Sequence, residues 1–275
     1  NGAVNDFPRV ETLVLESTYG GRNDYQTDQG DSERKLKQIV QNAHDRDGKV
    51  LIPTAAVGRA QELMLVLEEA MDQGEIPTMP VHLDGMIWEA TAIHTTYPEY
   101  LRNDLRDRIF DDDANPFLAD QFNQIEGDEE RQDIADGDSC IVLSPDGMVA
   151  GGPITSWLEH LGADADSTMA FVDYQAQGTL GRRIQNGWDE IPVGGDGGRS
   201  STIELNMTVE TIDGFSGHSD RQGLENFVRT MNPRPEKVLC VHGDESSTQD
   251  LSSALYHDYN LRTFAPKNLE TFRFI

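Results

Sequence analysis

Three polar side chains that could do acid–base or metal chemistry stand directly beside apolar or small residues. Glu16 ends the apolar run at residues 10–15 and precedes the loop-like tetrapeptide Ser-Thr-Tyr-Gly. His242 follows Val-Leu-Cys-Val and precedes a glycine, so it stands where a strand would end. His218 lies within Gly-Phe-Ser-Gly-His-Ser-Asp, where small residues permit a close backbone approach and Ser-Asp can begin a helix. An imidazole in such a position is suited to bind a metal or to transfer a proton near neutral pH.

Each of these side chains also has a plain structural interpretation. Glu16 could cap a helix or remain a solvated carboxylate, His218 could be an exposed loop residue, and His242 could be a hydrogen-bonded imidazole at the edge of the core. The other five histidines lie on predicted helices or strand faces without comparable neighbours. We predict structural roles for all five: His44, His82, His94, His160 and His257.

Weaker phosphate-binding candidates lie at predicted strand-to-helix turns. Arg59 follows Val-Gly at the start of a strongly patterned helix, where its guanidinium and the helix dipole could both hold a phosphate. It could equally be a surface arginine that pairs with Glu62. Ser144 and Gly147, in Ser-Pro-Asp-Gly-Met, follow another apolar run and are candidates of the same kind.

Apolar strands and amphipathic helices alternate along most of the chain, which predicts a parallel sheet with helices on both faces. Right-handed crossovers then give a Rossmann-like arrangement. The predicted strands cover residues 10–15, 49–54, 80–83, 139–143 and 169–174. The predicted helices cover 31–44, 58–73, 86–97, 153–161 and 179–185, with a polar helical stretch at 99–135 that Asn115-Pro116 breaks.

The pattern changes at a glycine-rich stretch, residues 193–201. Residues 202–212 then alternate in a way typical of antiparallel strands. Helices are predicted at 220–231 and 247–257, with a strand ending at His242 between them and two short strands after them. We expect a domain boundary between about residues 190 and 205.

The chain is strongly acidic, with 49 Asp and Glu against 22 Lys and Arg and a net charge of −27. The acidic tracts are scattered, which predicts an acidic surface adapted to a salt-rich cytoplasm, as in halophilic archaea. At ~1 M salt the Debye length falls to about 3 Å, which screens the self-repulsion. The same charge repels phosphate, so a nucleic acid would need local groups or another domain to hold it.

Several features place the protein in the cytoplasm, away from membranes. Its apolar runs are shorter than the roughly 20 residues of a membrane span, and its first residues do not resemble an export signal. Cys140 and Cys240 lie in strand-like apolar runs, and we predict two buried free thiols in a reducing compartment.

Taken together and in this order, the three segments resemble the β-CASP branch of the metallo-β-lactamase nucleases, over nearly the whole chain. Glu16, His218 and His242 match the family's three signatures. The likeness is strongest to the archaeal homologues of the cleavage and polyadenylation specificity factor. With the acidic composition, it suggests a haloarchaeal protein. The resemblance implies an α/β fold. A Rossmann-like β-CASP domain at 19–200 would interrupt an αββα metallo-β-lactamase domain, of which 1–18 is one strand segment and 201–275 the C-terminal part.

The resemblance further implies a zinc-dependent endoribonuclease of the mRNA 3′-end processing or RNA decay type, with two zinc ions and RNA as its partner. In this family's terms His242 is a zinc ligand and favours RNA over DNA. His218 contacts phosphate and acts as the general acid, and Glu16 orients it. The relatives also suggest a homodimer through the C-terminal segment, where residues 269–275 alternate like a strand.

The sequence departs from the family in one respect, because it contains no His-x-His-x-Asp-His motif. That motif supplies most of the zinc ligands, and a catalytic zinc needs about three protein ligands. We therefore expect an N-terminally truncated nuclease that binds negligible zinc and is inactive alone. The alternative is a non-catalytic RNA-binding or scaffolding protein of the same fold.

Overall fold

A computed structural model describes residues 9–110, 114–194 and 200–273. The chain divides into two compact units, which we call unit 1 (Asn1–Thr27 and Ser216–Ile275) and unit 2 (Asp28–Phe215). No helix within the described ranges is long and apolar enough to cross a membrane.

The described residues form strands and helices that alternate over most of the chain. The strands are β1 (Thr12–Glu16), β2 (Val50–Pro53), β3 (Val81–Leu83), β4 (Phe122–Gln124), β5 (Ile141–Ser144), β6 (Thr168–Phe171), β7 (Glu190–Gly194), β8 (Ser200–Glu204), β9 (Thr208–Thr211), β10 (Lys237–Val241) and β11 (Arg262–Phe264). The α-helices are α1 (Gln29–His44), α2 (Arg59–Asp72), α3 (Ile87–Thr96), α4 (Asn103–Phe110), α5 (Asp128–Asp136), α6 (Pro153–Leu161), α7 (Leu180–Gln185), α8 (Arg221–Thr230) and α9 (Glu245–Tyr259).

Unit 2 is built on a six-stranded sheet in the order β4-β3-β5-β2-β6-β9, and all of its strand pairs are parallel. Every residue of β2, β5 and β6 is buried. Successive residues of β2 point to opposite faces, so Ile52 belongs to one core with Leu63 of α2 while Leu51 belongs to another with Trp157 of α6. The predicted α/β fold with helices on both faces of a parallel sheet is therefore confirmed.

Unit 1 contains a smaller parallel sheet in the order β1-β10-β11. Leu15 of β1 and Cys240 of β10 share one core with Leu224 of α8 and Leu251 of α9. The first and last parts of the chain meet in this sheet because β1 pairs directly with β10, more than 200 residues later.

Two sequence-based expectations about strands are wrong. The stretch at 99–135 is not helical on both sides of the break at Asn115-Pro116, because Phe122–Gln124 pairs with β3 as an edge strand in which only Phe122 is buried. Residues 202–212 are not wholly antiparallel. β8 is antiparallel to β7, but β9 extends the large sheet parallel to β6.

The compact units divide at 27/28 and 215/216, since β9 belongs to the sheet of unit 2, and the domain bounds at 18/19 and 200/201 stay a prediction. The chain's end differs from expectation. Residues 269–273, expected to form a strand, have no regular secondary structure, and residues 274–275 lie outside the described part.

Both cysteines are free and buried, as predicted. Burial raises the pKa of Cys140 and that of Cys240 to about 12, because the apolar surroundings disfavour the thiolate.

Candidate metal and acid–base site

The carboxyl ends of β1 and β10 are adjacent and carry two of the three candidate residues. Glu16 pairs in register with Val241, the residue before His242. The Ser17 hydroxyl donates a hydrogen bond to the Val241 carbonyl at 2.6 Å and ties the two strand ends together. The apolar strands thus deliver a carboxylate and an imidazole to one edge of the small sheet.

His218 reaches the same edge from the loop before α8. The Asp220 side chain caps this helix by accepting a hydrogen bond from the Gly223 amide at 2.7 Å. The Gln26 side-chain amide donates to the His218 carbonyl at 2.8 Å. The cap and this bond hold the loop from both sides.

Glu16, His218 and His242 lie together, with one potential ligand atom from each within 4.8 Å of the others. His218 Nδ1 and Glu16 Oε2 are 3.4 Å apart. The two imidazole rings have centroids 5.3 Å apart. The structure therefore brings together all three residues that the sequence singled out for catalysis and metal binding.

Thr18 is a fourth residue of this site, and sequence reasoning missed it. Its hydroxyl lies 3.4 Å from His218 Nδ1 and 3.2 Å from His242 Nδ1, and it donates to the His242 carbonyl at 3.0 Å. Its amide donates to Glu16 Oε2 at 2.8 Å. A threonine after a strand has no distinctive sequence pattern, so only its place two residues after Glu16 hinted at a role.

The backbone at His242 is unusual. Its φ of 54° lies in the left-handed region, which residues other than glycine seldom adopt. The next residue must be small, because a Cβ on Gly243 would collide with the Ser17 carbonyl. Such conformations persist where surrounding contacts enforce them. Here the Thr18 bond to the His242 carbonyl is one such contact.

The donor set suits zinc, which binds imidazole nitrogen and carboxylate oxygen. One carboxylate and two imidazoles make up a common set of three protein ligands at catalytic zinc. The same atoms also fit a second arrangement, in which Glu16 and His218 pair with each other and His242 faces the metal. The short Glu16–His218 distance supports this second arrangement.

The weaker candidates lie in unit 2, at the carboxyl edge of its sheet. Arg59 begins α2 with its side chain only 9% exposed, and its Nε donates to Asp173 Oδ1 at 3.1 Å. It also pairs with Glu62. The Arg59 side chain is therefore largely buried, and two carboxylates already lie against its guanidinium group.

Ser144 and Gly147 belong to the same edge. The Ser144 hydroxyl is buried at the end of β5 and donates weakly to the Pro145 carbonyl at 3.4 Å. The Gly147 carbonyl accepts a bond from the Gln175 side chain at 2.7 Å. Phosphate binding by Arg59, Ser144 and Gly147 stays a prediction.

These sheets and this cluster define an α/β protein with a candidate metallo-hydrolase site. Residues 60–184 match the Beta-Casp domain, and residues 202–266 match the Zn-dependent metallo-hydrolase RNA specificity domain. Together the two matches support a member of the β-CASP family.

Archaeal relatives cover nearly the whole chain. The chain is 49% identical over 274 residues to the "Transcription termination factor FttA" of Methanosarcina mazei. That alignment covers 99% of this chain and 43% of the relative. The chain's identity to the protein of the same name from Thermococcus kodakarensis is 50% over 272 residues, covering 98% of this chain and 42% of that protein. The chain thus spans less than half the length of these relatives.

Proposed function

We propose that this chain forms part of a zinc-dependent endoribonuclease that acts in the cytoplasm on the 3′ ends of transcripts. The observation that carries the proposal is the cluster of Glu16, His218 and His242, whose side chains come from three separate segments. The match to an RNA specificity domain and the relatives' name as termination factors support RNA as the substrate class.

In the proposed reaction His218 transfers the proton. Its Nδ1 faces the Glu16 carboxylate, which leaves Nε2 to protonate the leaving oxygen of the RNA. Glu16 orients the ring and stabilises the imidazolium, while the Thr18 amide holds the Glu16 carboxylate in place. His242 serves as a zinc ligand. Zinc, when bound, supplies a Lewis acid and lowers the pKa of a bound water to about 7.

We further propose that the 275 residues alone bind zinc weakly and do not cleave RNA. The sequence has no His-x-His-x-Asp-His motif, to which the resemblance assigns most ligands of a two-zinc site. Three candidate side chains are too few for two metals if His218 and Glu16 act as a pair. A homodimer is a separate prediction, which the mass in solution would decide.

The test compares single variants in the longest natural protein that contains this chain. We expect His218→Ala to lower cleavage of single-stranded RNA about 100-fold or more while zinc content stays unchanged. His242→Ala should lower both zinc content and cleavage. His257→Ala is the control, since this exposed residue of α9 lies outside the cluster, and it should change neither.

Two results would contradict the proposal. Equal zinc loss in the His218 and His242 variants would make both residues ligands and overturn the acid role. A natural protein that binds RNA without cleaving it, with or without added zinc, would favour the non-catalytic scaffold instead.

A further inference from the structure

The Thr18 side chain contacts both histidines of the cluster. It is uncharged, and only 3% of the residue is exposed. A hydroxyl has one proton to donate and two lone pairs that accept. Three groups surround the Thr18 oxygen, namely His218 Nδ1, His242 Nδ1 and the His242 carbonyl. The allocation of that single proton therefore constrains the protonation of both rings.

The His242 carbonyl determines which group receives the Thr18 hydroxyl proton. A carbonyl oxygen only accepts, so its bond at 3.0 Å uses the hydroxyl proton. The His242 Nδ1, 3.2 Å away, then meets a lone pair, and a favourable contact requires that this nitrogen carry a hydrogen. A neutral imidazole has one N–H, so its Nε2 must be the free acceptor.

His218 reaches the same tautomer by a different route. Its Nδ1 lies 3.4 Å from Glu16 Oε2 and 3.4 Å from the Thr18 hydroxyl. An ionised carboxylate only accepts, so Glu16 alone already favours a hydrogen on Nδ1. Loss of the Thr18 hydroxyl therefore removes the main determinant at His242 but only a secondary one at His218.

We infer that Thr18 is a positioning residue that keeps the proton of His242 on Nδ1, so that Nε2 is free to bind a metal. A neutral imidazole binds metal through its unprotonated nitrogen, and a hydrogen bond at the other nitrogen selects which one that is. The inference rests on the proposed function for its purpose, but the tautomer itself follows from the contacts.

The experiment measures the tautomers of the metal-free 275-residue chain by nitrogen-15 NMR of its histidine rings, with a chelator present. A pH of about 8 keeps an ordinary imidazole neutral, since its pKa is about 6.5. We expect His218 and His242 to carry the hydrogen mainly on Nδ1. The exposed His257 provides the reference for a ring in water.

Thr18→Val should move the tautomer ratio of His242 about tenfold towards that of His257, the equivalent of about one net hydrogen bond. His218 should move less, because Glu16 remains. Thr18→Ser restores the hydroxyl and should restore the His242 signal. Thr263→Val removes a half-buried hydroxyl elsewhere in unit 1, one that donates to the Ser252 carbonyl at 2.8 Å, and should leave both rings unchanged.

The outcomes separate this inference from the proposed function. Either a wild-type His242 with its hydrogen on Nε2, or an unchanged ratio in a folded Thr18→Val variant, would overturn the inference. If Thr18→Val does not fold, the wild-type tautomer still decides. Absence of RNA cleavage in the natural protein would contradict the proposed function and leave the tautomer result intact.

Discussion

The surroundings of Glu62 oppose the ionisation of its carboxyl group. Burial raises its pKa above the ordinary value of 4.5, Arg59 lowers it in part, and Asp173 raises it again. The folded protein therefore holds the Glu62 proton more tightly than the unfolded chain does. The stability from this group is fully present below the unfolded pKa and is lost as the pH rises through the folded one.

We expect Glu62→Gln to remove this pH dependence. The free energy of unfolding of the wild type, minus that of the variant, should fall as the pH rises from about 4 towards neutrality. Urea unfolding at a series of pH values measures this difference. A difference that stays flat or rises with pH would contradict a raised pKa for Glu62, because the effect of Arg59 on that pKa would then match or exceed the effect of burial.

The sequence identifies some residues of the site but not all of them. Glu16 and His242 are recognisable because each follows an apolar run, and strand pairing places both at one edge. Thr18 is not recognisable, because its ring partners lie 200 and 224 residues away in the sequence. The burial of Arg59 is hidden for the same reason, since Asp173 lies 114 residues away.

At the scale of elements, β3, α5 and α6 are joined through one buried carboxylate. Asp84 follows β3 with its side chain 1% exposed, and Arg131 of α5 donates to it at 2.8 and 3.0 Å. The Trp157 ring nitrogen of α6 donates to it at 2.7 Å. Since Asp84 is cut off from water, its charge depends on these donors.

We expect Arg131→Ala to lower the free energy of unfolding by about 3 kcal/mol, because it leaves a buried charge without its counter-ion. Arg102→Ala is the matched control. Arg102 also forms two bonds to one aspartate, Asp104, but both side chains are exposed, so the expected loss is much smaller. Denaturant unfolding compares them, and equal losses would refute a structural role for the buried pair.

The elements show where sequence patterns stop being informative. Strands buried on both faces, such as β2 and β5, are predictable as apolar runs. β4 is not, because a three-residue edge strand with one buried residue has no visible alternation. β9 was recognisable as a strand, but its parallel partner β6 depends on the path of the chain between them.

At the scale of the whole molecule, the acidic charge is distributed unequally. Unit 1 contains 12 acidic and 9 basic residues, a net charge of −3, while unit 2 holds the remaining 37 acidic and 13 basic residues, a net charge of −24. The candidate site thus belongs to the unit with the smaller net charge. The scattered acidic tracts did not reveal this, because the division depends on the fold.

Self-repulsion should therefore make unit 2, rather than unit 1, depend on salt. The Debye length shortens from about 10 Å at 0.1 M to about 3 Å at 1 M salt, so added KCl should stabilise unit 2 strongly.

Each unit holds one buried thiol, Cys140 in unit 2 and Cys240 in unit 1, which reacts slowly until its unit opens. The protein is heated with an alkylating reagent at several KCl concentrations, and mass spectrometry measures how far each cysteine has reacted. The two cysteines report the opening of the two units separately. We expect the temperature at which Cys140 reacts to rise steeply with KCl and that of Cys240 to rise little.

A variant that neutralises three exposed carboxylates of unit 2 tests the cause directly, with the changes Asp138→Asn, Glu159→Gln and Asp189→Asn. It should raise the temperature at which Cys140 reacts at low salt and make that temperature less dependent on KCl. Equal responses of both thiols, or none, would show that net charge does not govern stability and would contradict adaptation to a salt-rich cytoplasm.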